Sequence, residues 1–229
     1  MTFLFRINID NCSILCKEYK FYRWKVKLFL YIFVALAAAF VVRAGYFMYC
    51  NATYQPQDGD VIFHVSESSQ STAIKVGTLS QYSHCGIIIM KNKKPYVLEA
   101  ENGVELTPMD KWLKRGKWFH HYRVMRLKDE QPLKLSYKLG GRYDRAFRFD
   151  NGRYYCSELV WEIYKKQNKI ELCQPRLFGD YHFLSLPVIQ KQIKSRGFDL
   201  EQKVVAPSDL LSSPKLKTVS YGYGKPFWM

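Results

Sequence analysis

The stretch NGRYYCSELVWEIY, residues 151–164, places a cysteine where a thiol can do chemistry. Cys156 follows a turn signal and opens a segment with the apolar spacing of an amphipathic helix. Unpaired backbone N–H groups and the helix dipole stabilise negative charge at a helix N-terminus, so a cysteine there is a candidate thiolate. The competing interpretation is a buried cysteine that only packs. A base elsewhere in the chain would decide between the two.

A cysteine hydrolase needs a base beside the thiol and a group that orients the base. The histidines available are His64, His84, His120, His121 and His182. His84 begins a predicted strand, and strand alternation turns its side chain away from that of Cys85. We therefore expect Cys85 to pack and not to share a site with His84. Glu99 lies on the next predicted strand, where a carboxylate can hold the imidazole tautomer, and Glu101 has the same facing and is the alternative.

The remaining cysteine and histidine pattern does not indicate a metal or cofactor. The cysteines are Cys12, Cys16, Cys50, Cys85, Cys156 and Cys173, and their spacing fits no zinc motif. No ligand cluster surrounds the pair His120-His121, so we expect no metal site and no cofactor. We expect mostly free thiols, and a bridge between Cys50 and Cys173 stays open.

Short strand and turn signals around these residues predict an α+β domain with an antiparallel sheet. Strands are predicted near residues 60–63, 87–89, 96–106 and 120–127, and helices near 73–79, 107–115, 133–139 and from 156 onward. The helix from Cys156 directs one apolar face inward, formed by Leu159, Val160, Ile163 and Tyr164. The proline-punctuated C-terminal part is predicted to wrap the core as loops and short elements, and GYGKPFWM at its end to cover the core.

Length, composition and charge limit the number of domains and the kinds of partner that the chain can have. The chain has 229 residues, 48% of them hydrophobic, and a formal net charge of +15. This length suits one domain of roughly 150 to 200 residues plus an appendage. The charge favours anionic surroundings, but the basic residues are scattered and match no nucleic-acid motif. We expect a solvated basic surface and no nucleic-acid partner.

The appendage is an N-terminal apolar run. Residues 28–42 carry no charge, and basic residues precede them. Extension through residue 48 gives the length of a membrane-spanning helix, whereas a signal peptide cleaved near Val42-Arg43-Ala44 is the alternative. Because the positive flank stays cytoplasmic, we expect residues 1–27 in the cytoplasm, 28–48 as the anchor or signal, and the domain of residues 51–229 exported. Cleavage would leave that domain secreted.

Five short motifs carry a resemblance to a known family. DGDVIF, SHCGIII, YVLEA, RYDRAF and YYCSELVWEIY, within residues 58–166, resemble the permuted papain-like cysteine amidases (YaeF/YiiX, YebB-like) of the NlpC-type superfamily. In NlpC-type enzymes the cysteine helix precedes the histidine strand, and here the order is reversed, as in the permuted members. The resemblance implies a circularly permuted papain-like domain, an antiparallel sheet packed on helices that include the cysteine-bearing one.

The resemblance also implies roles for individual residues. It implies Cys156 as nucleophile, His84 as base and Glu99 as the third member of a catalytic triad. Tyr143 is implied to form the oxyanion hole with the backbone N–H of Cys156. Tyr154 and Tyr155, which are nearer to Cys156 in the sequence, are the alternatives for this role. Cys85 departs from the small apolar residue expected after the histidine.

The predicted activity is amide hydrolysis through a thioester on Cys156. The predicted substrates are cell-wall peptides or lipid-linked acyl groups, so the partners are a peptide or acyl-amide substrate and the membrane. Two alternatives stay open: a thiol-dependent lipid acyltransferase, and a non-enzymatic, basic, membrane-associated binding module. The sequence says nothing of the oligomeric state.

Overall fold

The structure is a computed structural model of the chain. It describes residues 9–66, 68, 70–115, 121–182, 190, 193 and 198–223. His120 lies outside the described residues, as does all of GYGKPFWM except its first two residues. The chain divides into two compact units, residues 1–48 and 49–229.

The first unit is dominated by one long helix, α1 (Ile9–Thr53), whose last residues belong to the second unit. Within α1, the 25 residues Tyr22–Tyr46 are long and apolar enough to cross a membrane, and none of that segment is buried. The segment begins six residues before the predicted start at residue 28, and it therefore includes Arg23, Lys25 and Lys27.

The second unit is an α+β domain built on one antiparallel sheet, as predicted. Its elements in chain order are β1 (Val61–His64), α2 (Ser71–Thr78), β2 (His84–Lys91), β3 (Lys94–Ala100), β4 (Val104–Pro108), α3 (Met109–Lys114), β5 (His121–Leu127), α4 (Cys156–Glu162), a π-helical turn (Ile163–Gln167), β6 (Arg176–Leu177), a 3₁₀ turn (Phe178–Asp180), β7 (Lys203–Val204), α5 (Pro207–Leu211) and β8 (Leu216–Tyr223). The strand order in the six-stranded sheet is β4-β3-β2-β1-β5-β8, and β6 pairs with β7 in a small separate ribbon.

Both faces of the sheet are covered at its centre, which explains the unbroken isoleucine run in β2. One face packs against α4 through Phe63, Ile87 and Val160. The other packs against α3 through Ile88 and Trp112. A strand buried on both faces needs apolar residues at every position and not at alternate ones.

The segment 133–139 is not the predicted helix. It has no regular secondary structure, and its backbone groups bond to amide side chains that follow α4. The amide of Asn168 bonds both backbone groups of Lys134, at 2.6 and 3.0 Å, and that of Gln167 bonds both of Ser136, at 2.8 and 2.7 Å. These long-range bonds replace the i to i−4 bonds of a helix, so tertiary contacts override the local helical pattern.

The C-terminal part contains an element that the sequence did not predict. Its prolines indicated loops, yet β8 joins the main sheet as the edge strand beside β5, with Leu216 paired to Leu127. Pro214 lies just before β8, so no proline interrupts the pairing within the strand.

Candidate active site

Cys156 is the first residue of α4 and is nearly buried, with 3% of its surface exposed. Tyr155 before it is extended, so the chain turns into the helix at the cysteine itself. Two contacts with a later segment fix this turn. Ser157 Oγ donates to the carbonyl of Val205 over 2.7 Å, and the backbone N–H of Val205 donates to the Tyr155 hydroxyl over 3.1 Å.

His84 is the first residue of β2 and is buried. Its Nε2 lies 2.7 Å from Oε2 of Glu99, which is also buried. Gly86 makes this approach possible, because a Cβ there would come within 2.5 Å of Val97 and 2.7 Å of a backbone oxygen of β3. The glycine therefore lets β2 and β3 lie close where the histidine and the carboxylate meet.

Glu99 is held by four side chains. Trp112 Nε1 donates to Oε2 over 2.7 Å, while Thr107 Oγ1 and Arg115 Nη1 donate to Oε1 over 2.7 and 3.0 Å. Burial favours the neutral acid, but the hydrogen bond and charge of His84, with Thr107 and Arg115, lower the pKa of Glu99 below its usual value. The carboxylate is thus ionised and can only accept, so His84 Nε2 carries the proton. His84 is left with Nδ1 for a second partner.

Cys156 is the second group that raises the pKa of His84. Burial disfavours the charged imidazolium, but the charge and hydrogen bond of Cys156, with those of Glu99, raise the pKa of His84 to about 10. A hydrogen bond from Cys85 and the charge of His84 outweigh burial and hold the pKa of Cys156 well below its usual range. The stable form of the pair is therefore a thiolate beside an imidazolium.

Strand alternation places the side chains of Cys85 and His84 on opposite faces of β2. Cys85 is fully buried in the core cluster that also contains Cys156 of α4. His84 lies against Glu99 and Trp112 on the other face. The two residues nevertheless both affect the Cys156 thiol, because Cys85 and His84 are among the groups that lower its pKa.

Tyr143 is the tyrosine that lies at the sulfur. Burial, the charge of Cys156 and a hydrogen bond between the two side chains contribute to a pKa of Tyr143 well above its usual value, so the phenol stays protonated. The hydroxyls of Tyr154 and Tyr155, which directly precede Cys156, have other partners. Tyr154 donates to Glu162 over 3.2 Å, and Tyr155 accepts from the backbone of Val205.

The alternative acid, Glu101, is not bonded to His84 in the structure. It accepts from Arg115 Nη1 over 2.5 Å. With Glu99 and Glu105 it forms a group of carboxylates whose oxygens lie within 4.8 Å of one another, a donor set that suits a hard cation. Arg115 lies among them, 3.0, 2.5 and 3.5 Å from the three acids, and supplies their countercharge. The group does not fit a metal ion while the guanidinium holds that position.

The other predicted alternatives lie elsewhere. His64 stacks on Trp112, with ring centroids 3.7 Å apart, and its ring centroid lies 5.4 Å from that of His84. His121 bonds to the Tyr82 hydroxyl. Cys173 is a free thiol, which rules out the bridge to Cys50 in this structure.

Two cavities meet at the site. The first, about 390 Å³, is apolar, and its lining includes Cys156, Ile74, Phe147, Phe178 and Val205. The second, about 850 Å³, is polar, and its lining includes His84, Ser66, Ser83, Asn102 and Arg145. Tyr143 and Ile74 line both. The thiol thus opens on an apolar pocket, and the imidazole opens on a polar cleft.

Comparison with known proteins bears on this arrangement. Residues 55–220 match the family described as permuted papain-like amidase enzymes, YaeF/YiiX, the C92 family. The chain belongs to this family. It is 37% identical over 177 residues to the uncharacterised protein YiiX of Escherichia coli K12, covering 73% of this chain and 87% of that protein. A crystal structure of YiiX from Escherichia coli O157:H7, titled a metalloprotein, matches with a TM-score of 0.66 at 36% identity, covering 73% of this chain and 98% of that one.

Membership of the permuted papain-like amidases supports a cysteine hydrolase or amidase as the kind of activity. The order of the elements agrees with a permuted papain-like domain, since the helix that carries Cys156 follows the strand that carries His84 along the chain. Sequence reasoning missed Thr107, Trp112 and Arg115, the residues that hold Glu99. The sequence did contain one indication of close packing in this region. Gly86 is a glycine inside a predicted strand, which marks a close approach of another strand.

Proposed function

We propose that the chain is a cysteine amidase with Cys156 as nucleophile, His84 as acid and base, and Glu99 as the residue that orients His84. One observation carries the proposal: the imidazole of His84 is held 2.7 Å from a fixed carboxylate. It is supported by the charge of Cys156, which is among the causes that raise the pKa of this imidazole. A thiolate needs no separate deprotonation step, because the pair already holds the proton on His84.

The reaction proceeds through an acyl thioester. The thiolate attacks the amide carbon, and Tyr143 and the backbone N–H of Cys156 donate to the oxygen that becomes negative. His84 gives its proton to the leaving nitrogen as the C–N bond breaks, which releases the amine. His84 then takes a proton from water, and the hydroxide attacks the thioester. The acid leaves and Cys156 returns as thiolate, with the proton again on His84.

The apolar pocket favours lipid-linked acyl groups over cell-wall peptides as the substrate class. Its lining beside Cys156 is apolar and aromatic, and includes Phe147, Tyr155, Phe178 and Val204. Such a surface suits a hydrocarbon chain on the acyl side of the scissile bond. The polar cleft beside His84 takes the amine side, because His84 protonates the leaving nitrogen there.

A chromogenic acyl amide tests the assignment. Dodecanoyl 4-nitroanilide releases 4-nitroaniline on cleavage, and Cys156→Ala and His84→Ala are expected to lose this activity. The matched control is Cys173→Ala, which removes another thiol that lines neither cavity. Mass spectrometry should detect the acyl group on the Cys156 peptide. Turnover by the Cys156→Ala variant would refute the nucleophile, and transfer of the acyl group to an added amine would identify an acyltransferase.

We also propose that α1 anchors the protein in a membrane and that residues 49–229 are exported. The span Tyr22–Tyr46 has the length and apolar character required, and its N-terminal flank is more basic than its C-terminal flank. The full chain should stay with membranes after alkaline carbonate extraction, whereas a chain starting at Tyr49 should not. Protease added to right-side-out vesicles should digest the domain. Protection there, with digestion in inverted vesicles, would reverse the topology.

A further inference from the structure

The polar cleft beside His84 contains a cation that has no acidic partner. Arg145 lines this cleft together with His84 and Tyr143, and it is exposed there. Within the described ranges its guanidinium takes part in no ion pair and no hydrogen bond, whereas Arg115 and Arg126 are both paired with buried carboxylates. The positive charge of Arg145 is therefore available to a ligand in the cleft.

Contacts of the neighbouring residues fix the loop that carries Arg145. Asp144 is buried, and its carboxylate accepts from the backbone N–H of Ala146 over 2.9 Å and from the side chain of Asn151 over 3.0 Å. Gln202 donates to the carbonyl of Ala146 over 2.8 Å. Because the residues on both sides of Arg145 are held in this way, only its side chain must be ordered when a ligand binds, which lowers the cost of binding.

The other described residues of the cleft lining add neutral donors and one acid that is already paired. That acid, Glu101, accepts from Arg115 Nη1 over 2.5 Å. The hydroxyls of Ser66 and Ser68 bond to each other over 2.9 Å, so the O–H group of the accepting serine remains for a ligand. The neutral polar side chains in the lining are those of Ser66, Ser68, Gln70, Ser83 and Asn102. An unmatched positive charge among hydroxyl and amide donors suits an anionic ligand.

The position of Arg145 relates it to the amine half of the substrate. In the proposed function the acyl chain lies in the apolar pocket, and the leaving amine lies in the polar cleft. Tyr143 lines both cavities, and Arg145, two residues further along the chain, lines only the polar one. A guanidinium presents a planar set of N–H donors that matches two oxygens of a carboxylate or a phosphate.

We propose that Arg145 is a specificity residue, which binds a carboxylate or phosphate group carried by the amine half of the substrate. This rests on the proposed function, because it requires the amine half to occupy the polar cleft. The preferred substrates are then fatty acyl amides of an amine that carries such an anionic group, for example an amino acid. Hydrolysis breaks the C–N bond, consumes one water, and releases a fatty acid and an amine that keeps its anionic group.

A matched pair of substrates tests the proposal. N-dodecanoylglycine carries a carboxylate on its amine half, and N-dodecanoylglycinamide carries a neutral amide of similar shape. Mass spectrometry of the released amine gives kcat/KM for each with the full-length protein. Wild type should prefer the carboxylate substrate roughly tenfold, as for a hydrogen bond between charged groups, and Arg145→Gln should lower this preference towards one. N-dodecanoyl aminomethylphosphonate then shows which anion fits better, since it differs from the glycine substrate only in the anionic group.

Two further variants make the result decisive. Arg145→Glu should reverse the preference, because a negative charge repels the carboxylate, and a merely structural role for Arg145 would not give this reversal. Arg148→Gln should keep the wild-type preference, because Arg148 is an exposed arginine of the same loop that lines neither cavity. Equal kcat/KM values in wild type, cleavage of neither substrate, or an unchanged preference in Arg145→Gln would overturn the proposal. Cleavage of dodecanoyl 4-nitroanilide by the same wild-type protein would still support the proposed function, whereas its absence would remove both.

Discussion

Trp112 donates its indole N–H to Oε2 of Glu99 over 2.7 Å, and the same oxygen accepts from His84. Trp112 is fully buried and lies on α3, which immediately follows β4. The short helix thus serves as the support behind the carboxylate. Because the indole fixes the oxygen that His84 uses, it fixes the direction in which the imidazole points.

Replacing Trp112 by phenylalanine should therefore impair catalysis without emptying the core. Trp112→Phe keeps an aromatic ring against His64, which stacks on the indole with centroids 3.7 Å apart, and removes only the donor and one ring. We expect kcat for dodecanoyl 4-nitroanilide to fall about tenfold, as for a lost hydrogen bond to a charged group, with KM nearly unchanged.

Trp161→Phe is the control for this prediction. Trp161 donates to the carbonyl of Cys173 over 3.0 Å, outside the site, and packs in the core on the other face of the sheet. If both variants lose activity equally, the effect of Trp112 is on packing and not on the orientation of His84.

The thiolate–imidazolium pair predicts how reactivity depends on pH. The pKa of Cys156 is depressed and that of His84 is raised to about 10, so the ion pair is present from the low pKa of the thiol up to about pH 10. Alkylation of Cys156 should stay fast at pH 6, where an ordinary thiol is protonated. Turnover should fall as the pH rises through about 10, because the leaving amine then lacks its proton donor.

His84→Asn should move the alkylation inflection to higher pH, since the positive charge that stabilises the thiolate is gone. His182→Asn is the control, because His182 is exposed and lines neither cavity. An unchanged profile in His84→Asn would contradict the ion pair.

The apolar pocket predicts that chain length controls affinity. Thr78 at the end of α2 lines the pocket, so Thr78→Phe should obstruct it. We expect KM for dodecanoyl 4-nitroanilide to rise about tenfold, the factor for losing the burial of roughly two methylene groups, while KM for acetyl 4-nitroanilide stays nearly constant. Thr72→Phe, at an exposed position of the same helix, should change neither value. An equal effect on both substrates would place the acyl chain elsewhere.

The arrangement of the site follows from local patterns that the sequence shows. Alternation along β2 and β3 sets His84 and Glu99 on one face, and the helix signal at residue 156 places Cys156 at an N-terminus. Such patterns involve only residues that are close in sequence. They therefore identify the strand end and the helix start, but they do not show that these two places are close in space.

Features that depend on distant contacts could not be predicted in this way. Trp112 reads as an ordinary apolar helix residue, and only the folded sheet reveals its bond to Glu99. The segment 133–139 has a helical sequence pattern, but its backbone bonds instead to the side chains of Gln167 and Asn168. Cys85 obeys strand alternation, yet both Cys85 and His84 are among the groups that lower the pKa of Cys156, and alternation alone does not predict this.

Glu158 predicts a change of stability with pH that does not involve catalysis. Its carboxyl is buried in α4: Oε2 accepts from the backbone of Tyr155 over 3.3 Å, and Oε1 has no hydrogen-bond partner among the described residues. Burial, with the charges of Glu162 and Asp144, raises the pKa of Glu158 to about 8. The folded protein therefore binds a proton between about pH 4.5 and 8 that the unfolded chain has released, so stability falls as the pH rises through this range.

Glu158→Gln removes that dependence, because the amide stays neutral and can still accept from Tyr155. We expect the same melting temperature as wild type at pH 4 and a higher one at pH 8.5. An increase of roughly 3 °C corresponds to about 1 kcal/mol in a domain of this size. Glu171→Gln is the matched control, since Lys165 lowers the pKa of Glu171 and its replacement should not stabilise the protein at high pH. Equal melting temperatures for wild type and Glu158→Gln at pH 8.5 would show that the buried carboxyl ionises without cost to folding.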